Sequence, residues 1–302
     1  DDYENFFCVV DLHALTVPEN VNPEGLRQKT LEVAGLYIAC GIDPKRSTIF
    51  VQSEVSAHAE LCWLLTCTTP LGWLHRMTQF KSKSGGSETI GAGLLCYPVL
   101  QAADILLYAA DLVPVGADQK QHIELARDIA ERFNHLFGDT FHIPTPMIPL
   151  EGARIAGLDD PTAKMSKSLA MTSNTHAIGI LDPPKTIQKT VRRAVTDTEQ
   201  EYRPDHASPG VKNLLNMFAA LTGETIEQVG ARYEGRGYGY LKNDLADAVV
   251  SELTPVQKRY EELTADAGAL HAVLDEGAER ARSVAGDVLA RAKTAAGIGR
   301  KR

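Results

Sequence analysis

Lys164-Met165-Ser166-Lys167-Ser168 sets two lysines and two serines side by side in a Ser/Thr/Pro-rich stretch. Ammonium groups there can follow the negative charge that develops when a triphosphate is attacked. Serine hydroxyls add donors to phosphate oxygens. The plain alternative is a solvated linker with two ordinary lysines. A second candidate is Val113-Pro114-Val115-Gly116-Ala117-Asp118-Gln119, where an extended run ends, a glycine permits close approach and a helical pattern begins. Ligands of open α/β sheets bind beyond the strand C-termini. Asp118 there can accept from a ribose hydroxyl or a substrate ammonium, or simply cap the helix.

Asp104 is an acid inside the apolar helical run Leu100 to Tyr108. Such an acid is costly unless paired. It suits a donor-only ligand group such as an indole N–H, or a salt bridge between helices. Tyr97 and Gln101 precede it on roughly the same helical face, to line a pocket or to pack a core. Asp11-Leu12-His13 ends the first apolar run, a favourable place for a site, although a lone histidine is more often structural. Lys83 lies in a Gly/Ser loop and can reach phosphate or remain solvated. Lys185, Lys189, Arg192 and Arg193 share one helical stretch, and the C-terminal tail is basic, so local contact with a phosphate backbone is possible.

Composition narrows these options. The 302 residues include 31 Lys and Arg against 39 Asp and Glu, a net charge of −8, which argues against a generic nucleic-acid binder. There is no G-x-x-x-x-G-K-[ST] loop, and Gly91-Ala92-Gly93 does not complete a dinucleotide fingerprint. Five cysteines without a C-x-x-C pair suggest buried free thiols in a reducing cytoplasm, and no metal ligand set is evident. No apolar run is long enough to cross a membrane. The chain begins at Asp1, close to an apparent core strand, so N-terminal residues are expected to be missing.

The elements that must position these residues alternate in the first half. Strands are expected at 6–11 (fully buried), 48–51 and 112–115. Helices are expected at 24–40, 57–67, 71–78, 90–108 (broken near Pro98) and 118–137. That alternation predicts a Rossmann-like, doubly wound parallel sheet. Beyond about residue 160, helices are expected at 185–194, 210–221, 224–233, 240–251, 254–266 and 268–296. The predicted partition is an α/β domain over 1–160, a loop over 161–175 and an all-helical domain over 176–302, its last helix packing back on the α/β domain.

Taken together, these residues resemble the bacterial-type tryptophanyl-tRNA synthetases, a class I aminoacyl-tRNA synthetase family. The resemblance rests on Met77-Thr78-Gln79-Phe80-Lys81, the stretch Tyr97 to Tyr108, Val113 to His122, the KMSKS loop 164–168, Ala194-Val195-Thr196-Asp197 and Leu274-Asp275-Glu276-Gly277-Ala278. It spans essentially the whole chain. The run ending Asp-Gln-Lys-Gln-His distinguishes it from the tyrosyl enzymes.

The resemblance implies an ATP-dependent ligase that forms tryptophanyl-adenylate and passes the aminoacyl group to tRNA(Trp). Asp104 would bind the indole N–H. Tyr97, Gln101, His13 and Gln119 would shape the L-tryptophan pocket. Gly116, Ala117 and Asp118 would meet the ATP ribose, and Ile155 the adenine. Lys164, Met165, Ser166, Lys167 and Ser168, with Lys83, would stabilise the leaving pyrophosphate, Mg2+ accompanying the ATP. The helical domain would read the anticodon, and the enzyme would act as a cytoplasmic homodimer through its α/β domains. The family's HIGH-like turn has no counterpart in these residues; it is expected before residue 1, and the chain as written is expected to bind ATP poorly. Ala117 stands where the family often has Glu, and Gln101 where it often has Met. The rival readings are a tyrosyl enzyme, a truncated non-catalytic relative that binds tryptophan or tRNA, and a generic nucleotide-binding α/β domain with a helical partner.

Overall fold

A computed structural model describes residues 3–80, 91–148 and 155–300. They form two compact units, one of residues 1–149 with 263–302, the other of 150–262.

The first unit is Rossmann-like. Strand β1 (Asn5–Val9) leads through α1 (Pro23–Ala39) to β2 (Ser47–Val51). Strand β3 (Leu112–Pro114) leads through α5 (Lys120–Phe137) to β4 (Thr145–Met147). Each is a parallel pair joined by a helix, with Val9 opposite Val51 and Val113 opposite Pro146. Between them run α2 (Ala57–Thr68), α3 (Leu71–His75) and α4 (Ala92–Leu106). All five residues of β2 are buried, as its apolar run demands. β1 is only half-buried apart from Val9, not the fully buried strand its sequence suggests, because a groove flanks it. β4 was not legible at all: three residues with Pro146 in the middle carry no strand pattern.

Local signals set the helix ends. Asn22 accepts from the Gly25 amide at 2.9 Å and Pro23 occupies the first turn of α1. Gly138, at φ +92°, stops α5. α4 continues through Pro98 instead of breaking there. Pro98 is buried with Leu94, Val99, Ala102, Ala103 and Leu106, and burial of that face offsets the lost hydrogen bond.

The second unit is helical: α6 (Lys167–Ala170), α7 (Pro184–Arg192), α8 (Pro209–Thr222), α9 (Ile226–Tyr233) and most of α10 (Tyr238–Ala265). A capping box, Thr225 with Gln228, starts α9. α10 is one helix with Pro255 inside it, where the sequence suggested two. The core gathers Ile187, Val191, Tyr202, Leu214, Leu215, Tyr233 and Leu241.

The last helix, α11 (Ala267–Ala295), falls in the first unit. Its face of Leu270, Leu274, Gly277, Ala278, Ala281, Ala285, Val288 and Ala292 recurs at helical spacing and is buried. Gly277 sets the approach: a Cβ there would lie 1.8 Å from the Ile49 carbonyl oxygen of β2. All five cysteines are free, and Cys40 and Cys67 are exposed, which corrects the expectation that the thiols are buried. Among the described residues, no helix is long and apolar enough to cross a membrane.

Candidate active site

Parallel pairing of β1 with β2 puts the residues that follow both strands at one edge. From the β1 end, Asp11 accepts from the Ser53 amide at 3.0 Å and the Ser53 hydroxyl at 2.5 Å, tying the two loops together. From the β2 end, Gln52 accepts from the Leu12 amide at 3.2 Å and donates through Nε2 to Asp104 Oδ1 at 2.6 Å. His58 Nδ1 from α2 lies 2.6 Å from the same oxygen, and His58 Nε2 lies 2.8 Å from the Tyr108 hydroxyl. His13 Nε2 lies 2.8 Å from Asp104 Oδ2. The acid inside an apolar helix is therefore paired, as its burial requires.

Burial pushes the Asp104 carboxyl up, but hydrogen bonds from His13 and His58 outweigh it and hold the group below its ordinary range. It is thus a carboxylate, with about four lone-pair sites. Gln52 and His58 use Oδ1; His13 uses one site on Oδ2. The remaining site belongs to a residue that lines a 350 Å³ pocket with Val10, His13, Thr16, Tyr97 and Gln101. Asp104 also borders the 620 Å³ groove between β1 and β3, along with Phe6, Tyr108 and Val113. A flat apolar ligand with one N–H donor matches this combination of an ionised acceptor and aromatic or aliphatic walls.

Tyr97 is fixed from a second direction. Its hydroxyl donates to Gln79 Oε1 at 3.1 Å and lies 2.8 Å from His122 Nε2. Thr78 donates its amide and hydroxyl to Gln121 Oε1 at 3.1 and 2.9 Å. Residues 77–80 and 113–122, from two of the stretches that carry the resemblance, are thereby tied to α4.

Of the sequence candidates, the structure brings together His13, Tyr97, Gln101 and Asp104. Gly116, Asp118 and Gln119 lie past the end of β3 and do not line that pocket. Asp118 is not the cap of α5: the capping position is Gln119, and Gln119 Nε2 donates to Asp118 Oδ2 at 3.1 Å. Gly116 sits close over this turn, since a Cβ there would lie 2.9 Å from Asp118 Oδ1. Lys83 lies outside the described residues, as do the side chains of Ala117, Lys167 and Ser168.

In the second unit, Ala156 bridges Lys164 antiparallel, the Met165 amide donates to the Ile155 carbonyl at 3.1 Å, and the Gly157 amide to Ala163 at 2.9 Å. Asn213 fixes this ribbon by bonding both polar groups of the Ala156 backbone, at 2.8 and 3.0 Å. Ile155 therefore stands beside Lys164 and Met165. Ser166 Oγ accepts from the Leu169 amide at 3.3 Å and starts α6, the single turn that contains Lys167 and Ser168.

Sequence reasoning missed Gln52, His58 and Tyr108. Gln52 directly follows a buried strand, the same signal that singled out His13. A buried histidine within α2 carries no comparable signal. Among the described residues, no group of three or more His, Cys, Asp or Glu side chains could hold a metal ion.

The family model for tRNA synthetases class I (W and Y) matches residues 1–254. A tryptophan–tRNA ligase of Listeria monocytogenes is 52% identical over 304 residues, covering 100% of this chain and 90% of the relative. One from Bacillus subtilis is 51% identical over 303 residues, with the same coverage. The crystal structure of tryptophanyl-tRNA synthetase from Mycoplasma pneumoniae superposes with a TM-score of 0.86 at 34% identity, covering 97% of this chain and 88% of that one. The Campylobacter jejuni enzyme, complexed with ADP and tryptophan, gives 0.82 at 34% identity, covering 98% and 90%. A full-length match to close relatives, on a fold whose strand ends converge on one buried, ionised acid, makes this chain a member of the class I tRNA synthetases of the tryptophan and tyrosine branch.

Proposed function

We propose that the chain is a tryptophan–tRNA ligase. The observation that carries this reading is Asp104: an ionised carboxylate, pinned by His13, Gln52 and His58, with one acceptor site left toward a pocket. An indole N–H fills that site. Phenylalanine leaves it empty, and a buried polar group without a partner is a strong ground for rejection. The naming of the relatives supports the same substrate.

The tryptophan carboxylate attacks the α-phosphorus of ATP, forming the mixed anhydride and expelling pyrophosphate. A terminal ribose hydroxyl of tRNA(Trp) then attacks the aminoacyl carbonyl and AMP leaves. No protein nucleophile is needed; positioning and charge stabilisation carry the chemistry. Lys164 and Lys167, with Lys83, place positive charge on the departing pyrophosphate, and Ser166 and Ser168 donate to its oxygens. Gly116, Ala117 and Asp118 receive the ribose, Ile155 the adenine, and Gln119 with Tyr97 the amino-acid end. Magnesium enters with ATP as the counter-ion of its phosphates. The helical unit reads the anticodon, and the enzyme works in the cytoplasm as a homodimer.

The test is exchange of labelled pyrophosphate into ATP by the product of the complete reading frame, with each amino acid in turn. Exchange driven by tryptophan and not by tyrosine or phenylalanine, followed by charging of tRNA(Trp), is the expected result. Tryptophan binding without any exchange would replace the ligase with a non-catalytic binder.

A further inference from the structure

The segment that carries Lys164 is held by a histidine outside every motif considered so far. His176 is 2% exposed. Its Nδ1 lies 2.6 Å from Asp159 Oδ1 and its Nε2 lies 3.1 Å from the backbone carbonyl oxygen of Lys164. The Ser173 hydroxyl donates to the other Asp159 oxygen. Gly157 makes room for the ring, since a Cβ there would fall 2.2 Å from His176 Cε1.

Both atoms that face the ring are acceptors. A carbonyl oxygen can only accept. Asp159 is held below its ordinary value, chiefly by the Ser173 hydroxyl with further help from His176, so it too only accepts. A neutral imidazole has a single N–H and satisfies one of the two. In either neutral tautomer a nitrogen lone pair points at an oxygen. Both hydrogen bonds exist together only in the imidazolium. We infer that His176 is a positioning residue for the adenylation step: its doubly protonated ring clamps the Lys164 backbone to Asp159 and so sets the 164–168 loop for phosphate. This rests on the reading above that the loop lysines act on pyrophosphate.

The charged side chains acting on the ring are Asp159 and Asp160. Burial would lower the ring's pKa; the bonds to Asp159 and the Lys164 carbonyl, and the two carboxylates, outweigh it and raise it above the ordinary imidazole value. The sign follows. The clamp is complete below the ordinary imidazole value and opens as pH rises through the raised one.

The experiment uses the full chain in three forms: wild type, Asp159→Asn and His176→Gln. NMR of 15N-histidine reads the protonation of His176 directly, and kcat/KM for ATP in tryptophan-dependent exchange is followed from acid to alkaline pH. Wild-type His176 should hold both protons past the ordinary imidazole range, and kcat/KM for ATP should drop roughly tenfold as it titrates, the size expected for one hydrogen bond involving a charged group. Asp159→Asn keeps the shape but removes the charge, so both midpoints should move together to lower pH. His176→Gln keeps a donor for the Lys164 carbonyl at every pH, so its profile should lack this step. A merely structural histidine would not move the midpoint of the rate profile. His176 titrating at or below the ordinary value, or identical profiles for wild type and Asp159→Asn, overturns the clamp. If the wild type shows no exchange at all, the ligase reading fails. Exchange protection of the Met165 amide against pH, in wild type and Asp159→Asn, then decides the clamp alone: a loss of protection that tracks His176 supports it, and indifference refutes it.

Discussion

At the scale of single residues, the site is a matter of which acceptors are already satisfied. Asp104 is held ionised in an apolar helix by three donors from three different elements. Removing the acid should cost the indole its partner. Asp104→Ala is expected to weaken tryptophan binding roughly 10- to 100-fold, the range for a hydrogen bond to a charged group, and to relax discrimination against phenylalanine. Equilibrium binding and competitive exchange kinetics measure both. Removing a support acts differently. His58→Leu leaves burial less opposed, so the Asp104 pKa should rise. Because a held-down carboxyl contributes fully above its ordinary range and loses its effect as pH falls through the held-down value, the acid limb of tryptophan binding should move to higher pH in this variant. Binding measured across acid pH reads that shift; an unmoved limb would remove His58 from the network. At this scale the sequence singled out Asp104, Tyr97, Gln101 and His13, which line one pocket, because an acid in an apolar run and a polar group at a strand end are both visible locally. Gln52 carried the same strand-end signal and was passed over, whereas His58 and His176 were not visible, since their role depends on partners 46 and 12 residues away in the chain.

Elements were legible where one face repeats. The stripe of α5 and the small-residue face of α11 give their helices from spacing alone. One proline misled: Pro98 sits inside a continuous helix, because tertiary burial outweighs local propensity. β4 escaped because it is a strand only by virtue of pairing with β3. Among the described glycines, Gly277 makes the closest approach to another element, where α11 meets β2. Gly277→Ala should destabilise the protein by about 3 kcal/mol, since the added Cβ would sit 1.8 Å from the Ile49 carbonyl oxygen and neither backbone can move apart cheaply. Gly286 lies on the exposed side of the same helix, with nothing within 4 Å of an added Cβ. Gly286→Ala should instead stabilise by about 0.5–1 kcal/mol. Chemical unfolding of the two variants compares a packing constraint with plain helix propensity; equal effects would mean that α11 does not seat on β2 through Gly277.

At the scale of the whole molecule, an acidic chain of net charge −8 must bind a polyanion through local concentrations of positive charge. Lys185 and Lys189 are exposed on α7, next to Arg192 and Arg193. Replacing both lysines by Glu should weaken tRNA binding and reduce the slope of log affinity against log salt by about 2, while pyrophosphate exchange, which needs no tRNA, stays unchanged. Unaltered tRNA affinity would take α7 out of the interface. The division of the chain was only partly legible at this scale. The change from alternating strands and helices to helices alone marks the second unit. The apolar, small-residue face of α11 and the glycine that lets it close on β2 carry the placement of residues 263–302 in the first unit.

Central to the proposed function is Asp104 as the acceptor of the indole N–H during activation of tryptophan. The most direct test is pyrophosphate exchange driven by tryptophan and by its benzothiophene analogue, which has sulfur in place of the N–H, in wild type and in Asp104→Ala. The wild type should prefer tryptophan by roughly tenfold or more, and the variant should lose most of that preference. Equal use of both by the wild type, or an undiminished preference in Asp104→Ala, would contradict it.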